Sequence, residues 1–273
     1  MSFWQSVLAF LDTPMETPQP YGWFHLLWFA LSFLALIPML HFSKNKDRNY
    51  IRNVVWATAI LVILLEIYKQ INYSFSYENG IAFDYQWYAF PFQFCSTPMY
   101  IGFLAGIFKK GKIHESLCAY LATYAMFAGF GVMFYPTTVF IETIGINVQT
   151  MICHGSMITI GIYLLCTGYV PIAHKTIVKA LPVFAVNVTL AVVMNEIAFQ
   201  SGLLETETFN MFFVSPYCEP SLPVYSLVQG IVPFPLCLLL YIAGFTAAGY
   251  LLLLIAMGIS VLSKKFRPAA TAC

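Results

Sequence analysis

The chain has 273 residues, 60% of them hydrophobic and only 9% charged, with a mean hydropathy of +0.76 and a formal net charge of +1. A water-soluble domain cannot hide that much apolar surface, so the composition predicts an all-α polytopic membrane protein, and the near-zero charge argues against a nucleic-acid partner. The seven cysteines (95, 118, 153, 166, 218, 237 and 273) show no CxxC and no metal-ligand spacing, against both a disulfide framework and a zinc site.

Residues 1–20 come first. Phe3, Trp4, Val7, Leu8 and Leu11 share one helical face, which predicts a short helix lying in the membrane interface, with no signal-peptide pattern. Residues 21–262 then hold seven segments near the roughly 20 apolar residues needed to cross a bilayer. They are about 23–41, 53–74, 90–108, 116–135, 150–169, 178–199 and 233–261, the last long enough to tilt or project past the bilayer. In the third span, Pro91 is expected in the first helical turn and Pro98 at a kink below Cys95. In the fourth, Gly129, Gly131 and Pro136 predict a break. The connection 201–224, with Pro216, Pro220 and Pro223, is expected to cap the bundle, and residues 263–273 form a basic tail. No separate domain and no repeat of halves is visible.

The cations orient these spans. Lys44, Lys46, Arg48, Arg52, Lys109, Lys110, Lys112, Lys175, Lys179, Lys264, Lys265 and Arg267 all fall on one side of the alternating topology. The opposite loops carry Asp12, Glu16, Glu78, Asp84, Glu142, Glu205, Glu207 and Glu219. The positive-inside rule therefore predicts a seven-helix bundle with the N-terminus outside and the C-terminus cytoplasmic.

The remaining cation, Lys69, lies inside the second span, where a charge needs a partner or a purpose. Glu66, Lys69 and Gln70 share one face at i, i+3 and i+4. In the predicted orientation they occupy the outer half of the bundle, together with Gln93 and Cys95 of the third span, His154 of the fifth and Asn195 and Glu196 of the sixth. Asn187 lies about three turns deeper. The inner halves look nearly free of polar groups. Four sets of costly groups at one depth predict a polar pocket. Each has a plainer reading: Cys95 as a small hydrophobe, His154 as a satisfied hydrogen-bonder, Glu66 with Lys69 as an ion pair fixing a helix, and Asn195 as an interhelical bond. Cys118, Cys153, Cys166 and Cys237 read as inert, His25, His41, His114 and His174 as span-end residues, and Gly80, Gly102 and Gly106 make no phosphate loop.

A Cys and a His in one dry pocket form a possible nucleophile and base for acyl transfer, with the Gln93 and Asn195 amides as oxyanion donors or supports. The same pocket would also suit a small-solute transporter or a ligand-binding membrane protein, or a scaffold locked by polar contacts. Neither a metal nor a cofactor is expected. Small residues Gly102, Ala105 and Gly106 leave packing within the bundle or between chains open.

The ordered motifs "EIYKQ", "PFQFC", "YAMFAGFGVMFYP", "ICHGSMITIGIYL", "FNMFFVSP" and "GIVPFPLCLLLY", spread over roughly residues 20–260, resemble the YwaF-like integral membrane family, which shares its architecture with vertebrate transmembrane protein 164. The resemblance implies a multi-pass protein of the cell membrane, a bacterial plasma membrane, that moves acyl groups between membrane lipids. Cys95 stands at the position of the nucleophile and His154 at that of the histidine. YwaF-like sequences carry a His two positions before this Cys, where this chain has Gln93, which bonds through hydrogen but takes no proton.

Overall fold

The computed structural model describes residues 2–136, 139–204, 208–219, 222 and 225–265, with side chains to residue 262. Glu205, Glu207, Pro220, Pro223, Arg267 and Cys273, and the side chains of Lys264 and Lys265, lie outside the described residues.

Helix α1 (Phe3–Leu11) forms where the apolar face predicts it. Ser2 and Gln5 close a reciprocal capping box that satisfies its first backbone donors. The first span is two helices, α2 (Trp23–Leu34) and α3 (Leu36–Ser43), divided at Ala35. Pro38 has no N–H for the Leu34 carbonyl, so the ladder is cut at that turn. Helix α4 (Arg48–Asn72) follows, capped by the Asp47 carboxylate, which accepts from Tyr50 N–H at 2.9 Å. A two-stranded hairpin, β1 (Phe75–Ser76) with β2 (Ala82–Phe83), leads into the third span.

That span departs from expectation. Helix α5 (Thr97–Ile107) has 11 residues, which at 1.5 Å each is roughly 16 Å, about half the hydrocarbon thickness. The described residues thus give six helices of spanning length and one short apolar helix. Pro91 is the physical reason: it bars the helical region to Phe90, which is extended at ψ 135°, and residues 90–96 stay irregular. Pro98, not Pro91, occupies the first helical turn, where its missing N–H costs nothing and makes no kink.

The fourth span runs through α6 (Lys112–Tyr120), a π-helical turn at Leu121–Ala125, and α7 (Met126–Phe134). The irregularity falls one to two turns before Gly129 and Gly131, and the helix passes both glycines unbroken. A Cβ at Gly129 would lie 2.8 Å from the His154 carbonyl oxygen, so this glycine lets α7 touch α8 (Ile144–Cys166). Helix α9 (Lys175–Ser201) contains Pro182, and α10 (Phe234–Lys265) extends to Lys265, so the tail predicted from residue 263 begins as helix.

Of the apolar windows in Lys112–Phe134 and Ile144–Cys166, 72% is buried, against 11% in Trp23–Ser43 and 17% in Phe234–Leu262. The fourth and fifth spans are therefore the hub and the others a surrounding ring. An aromatic core fills the hub: Tyr124 stacks on Phe184 at 4.3 Å and Phe94 on Phe212 at 5.3 Å. Phe212 comes from the connection after α9, whose described residues fold back into the bundle as the predicted cap. Phe212 and Phe213 take φ of 58° and 57°, a left-handed backbone costly to side chains with a Cβ. Three ties hold it there: Asn195 grips the Met211 backbone, Tyr241 Oη donates to Phe212 O at 2.8 Å, and Asn210 Oδ1 accepts from Ser215 N–H at 2.9 Å.

Candidate functional site

The site begins on α4. Glu66 is buried, and the i, i+3, i+4 spacing that put Lys69 and Gln70 on its face is realised as bonds. Glu66 Oε1 accepts from Lys69 Nζ at 2.9 Å and from Gln70 Nε2 at 2.8 Å. Its second oxygen accepts from Gln149 Nε2 of α8 at 3.1 Å, which ties α4 to the hub. Gln70 also donates to Ala89 O at 2.9 Å and accepts from Tyr85 Oη at 2.7 Å, so the irregular segment before α5 is fastened to the same knot. Burial and the Glu66 charge push the Tyr85 phenol up to about 12, which keeps it the donor in that bond.

Cys95 lies in the turn just before α5, half-buried, held down by buried Phe94. Its carbonyl accepts from the Cys153 thiol at 3.6 Å. Both cysteines line a cavity of about 30 Å³ with Ser156, Met99 and, from the π turn, Leu121 and Ala125. That is room for at least one water. The π turn thus departs from regular helix where it lines the cavity of Cys95.

His154, the residue after Cys153, is buried on α8. Its Nδ1 lies 2.7 Å from Thr150 O. A carbonyl only accepts, so Nδ1 carries the hydrogen and the neutral ring presents Nε2 as a bare acceptor. No hydrogen bond joins the Cys95 thiol to the His154 ring in this structure. What joins the two elements is Cys153, the residue before His154, whose thiol reaches the Cys95 carbonyl.

The other predicted residues have distinct places. Gln93 donates to Tyr88 O at 3.3 Å, and its buried Oε1 has no partner. Both amide atoms of Asn195 are taken, Oδ1 by Met211 N–H at 2.8 Å and Nδ2 by Met211 O at 3.1 Å, so it latches the cap instead of facing the cavity. Glu196 accepts from Tyr217 Oη at 2.6 Å at the exposed end of α9. Asn187 is buried deeper, with Nδ2 unpartnered.

Sequence reasoning missed Gln149. Beginning the fifth span at 150 left it in a loop, although it precedes Cys153 by four residues, the spacing of one helical face. It also treated the basic end as nearly free of polar groups. Buried His114, Ser43 and Thr176 sit there, each bonded: His114 Nδ1 to Ala105 O at 3.0 Å and Nε2 to Tyr169 Oη at 2.7 Å, Ser43 Oγ to Tyr163 Oη at 2.5 Å, and Thr176 Oγ1 to Pro171 O at 2.6 Å. The Cys118 thiol, 3.6 Å from His114 Nε2, is buried in this same knot. Cys118 does not line the Cys95 cavity. These groups lie near helix ends, where backbone and side-chain partners are at hand. Among the described residues, no cluster of His, Cys, Asp and Glu could hold a metal.

Among known proteins, the model of the TMEM164 family matches residues 19–257. No curated protein and no solved structure matches the chain.

Proposed function

The chain belongs to the TMEM164 family, and on that premise we propose that it is an integral membrane acyl-transfer enzyme acting on lipid esters, a phospholipid acyltransferase or a lipid-ester hydrolase. Cys95 is the nucleophile and His154 its base. The observation that carries this reading is that Cys95 lines a cavity together with Cys153, the residue before His154 on α8, whose thiol lies 3.6 Å from the Cys95 carbonyl oxygen.

In this scheme His154 Nε2 takes the thiol proton and the thiolate adds to the ester carbonyl. Collapse breaks the carbonyl–oxygen bond, the alkoxide leaves with the proton held by His154, and a Cys95 thioester remains. A lipid hydroxyl, or water in the hydrolase, then takes the acyl group and restores the thiol. Lys69 offsets the negative charge that develops on sulfur and on the carbonyl oxygen. Glu66, Gln70 and Gln149 hold Lys69 at that position. Gln93 steadies the turn that presents Cys95, and Asn195 secures the cap over Phe94. The N-terminus lies outside and the C-terminus in the cytoplasm of a cell membrane, with α5 as the third of seven membrane segments although it is too short to cross by itself.

The test uses the purified full chain in liposomes with a fluorescent phospholipid donor. The wild type moves the label to a second lipid or to water. Cys95→Ala abolishes the transfer, and His154→Ala slows it by about 10²–10⁴-fold, the usual worth of a general base. Unchanged turnover by Cys95→Ala refutes the cysteine mechanism, and solute flux surviving that substitution supports a transporter instead.

A further inference from the structure

A second and larger hollow lies on the outside of α4. It is a groove of about 290 Å³ between α4 and the segment 91–100, close to the roughly 300 Å³ at which ligand pockets begin. Its wall is apolar, with Ile63, Ile67 and Ile71 spaced at four residues along one face of α4. Ile67 and Ile71 are 52% and 38% exposed on a helix of membrane-spanning length, so the groove opens sideways toward hydrocarbon.

The groove also has a polarity gradient. Gln70 and Ser74 line it at the end next to the hairpin, and Ile63 and Met99 line it at the deep end. Ile63 and Ser74 are eleven residues apart, roughly 16 Å along the chain axis. A polar end at the helix terminus and an apolar end toward the bundle centre match an ester-linked lipid lying with its chain inward. Glu66 lines the floor, but both its oxygens are occupied by donors, so the groove does not present an unpaired charge to the chain.

Met99 is the one side chain that lines both this groove and the cavity of Cys95 and Cys153. It is 4% exposed, and its long unbranched side chain can swing without breaking a hydrogen bond. We propose that the groove binds an acyl chain of a membrane lipid and that Met99 is the gate between the groove and Cys95, which the lipid's ester end reaches as the chain slides inward along the isoleucines. The proposal rests on the reading that Cys95 is the reacting group.

The experiment measures access, not turnover, so it stands apart from the test of catalysis. The full chain in liposomes of phosphatidylcholine is treated with a long-chain alkyl maleimide dissolved in the bilayer, or with a charged, membrane-impermeant maleimide. Modification of the Cys95 peptide is followed by mass spectrometry. Met99→Ala is expected to raise the alkyl reagent's rate about tenfold and leave the charged reagent's rate unchanged. Ile67→Trp, on the lipid-exposed rim and away from the core, is expected to slow the alkyl reagent about tenfold by filling the groove. It keeps the proposal open to refutation should Met99→Ala fold poorly. Equal acceleration of both reagents by Met99→Ala would show an aqueous route and overturn the proposal. So would an alkyl rate unmoved by Ile67→Trp.

Discussion

Glu66 and Lys69 offer a quantitative test of how the site is held. The side chains are 6% and 15% exposed, and Glu66 accepts three hydrogen bonds. Glu66→Ala leaves the Lys69 ammonium without its partner and strands Gln149 Nε2, whereas Gln70 keeps its bond to Ala89 O. Removing one member of a buried ion pair costs about 3–5 kcal/mol, most of it from the charge left behind. Glu66→Gln keeps the shape but removes the countercharge, and Lys69→Met removes the cation while Gln70 and Gln149 still satisfy the carboxylate. The double variant Glu66→Gln/Lys69→Met buries no net charge. It should therefore be more stable than the sum of the single losses by about 1–3 kcal/mol. Equilibrium unfolding in mixed detergent micelles, followed by the fluorescence of the five tryptophans, gives all four corners of the cycle. Single losses that add to within about 0.5 kcal/mol would refute a coupled pair and make Lys69 a residue that reaches water.

Two further outcomes follow from the packing. Asn195→Ala orphans the buried N–H of Met211, at about 1–3 kcal/mol, while Met211 O keeps the Val214 N–H at 3.4 Å, and Phe213→Gly in that background should recover about 1–2 kcal/mol by relieving its left-handed backbone. The same unfolding measurement decides, and no loss in Asn195→Ala would mean the cap is held without the latch. Gly129→Ala places a methyl 2.8 Å from the His154 carbonyl and should destabilise by about 1–3 kcal/mol; an unchanged thermal midpoint in detergent would show that α7 and α8 do not meet there.

Much of the site was legible because its residues are expensive. A lysine, a glutamate and a glutamine inside an apolar helix have few places to go, and the i, i+3, i+4 spacing already named their bonds. Gln149 escaped because the apolar run after it hides the polar first turns of α8, where a polar residue passes for loop. Asn195 was marked as a costly polar group, but whether its amide faced the cavity or a returning chain depended on where Met211 came to lie. Cys153 looked like an inert hydrophobe, and nothing local marks it as the neighbour of Cys95.

The sequence by itself determined the class of protein, six of the spanning helices with ends off by up to about six residues, the segregation of basic residues and the pairing on α4. Hydropathy and helical periodicity are local properties, and each is written in a single stretch of chain. Only the tertiary structure decided that the third apolar segment is a short helix behind an irregular turn, and that the fourth passes through a π turn. It alone brought Phe212 back onto Phe94 and set Met99 between two hollows. Those outcomes depend on residues from separate helices meeting, and side-chain contact across a bundle leaves no periodic trace in any one of them.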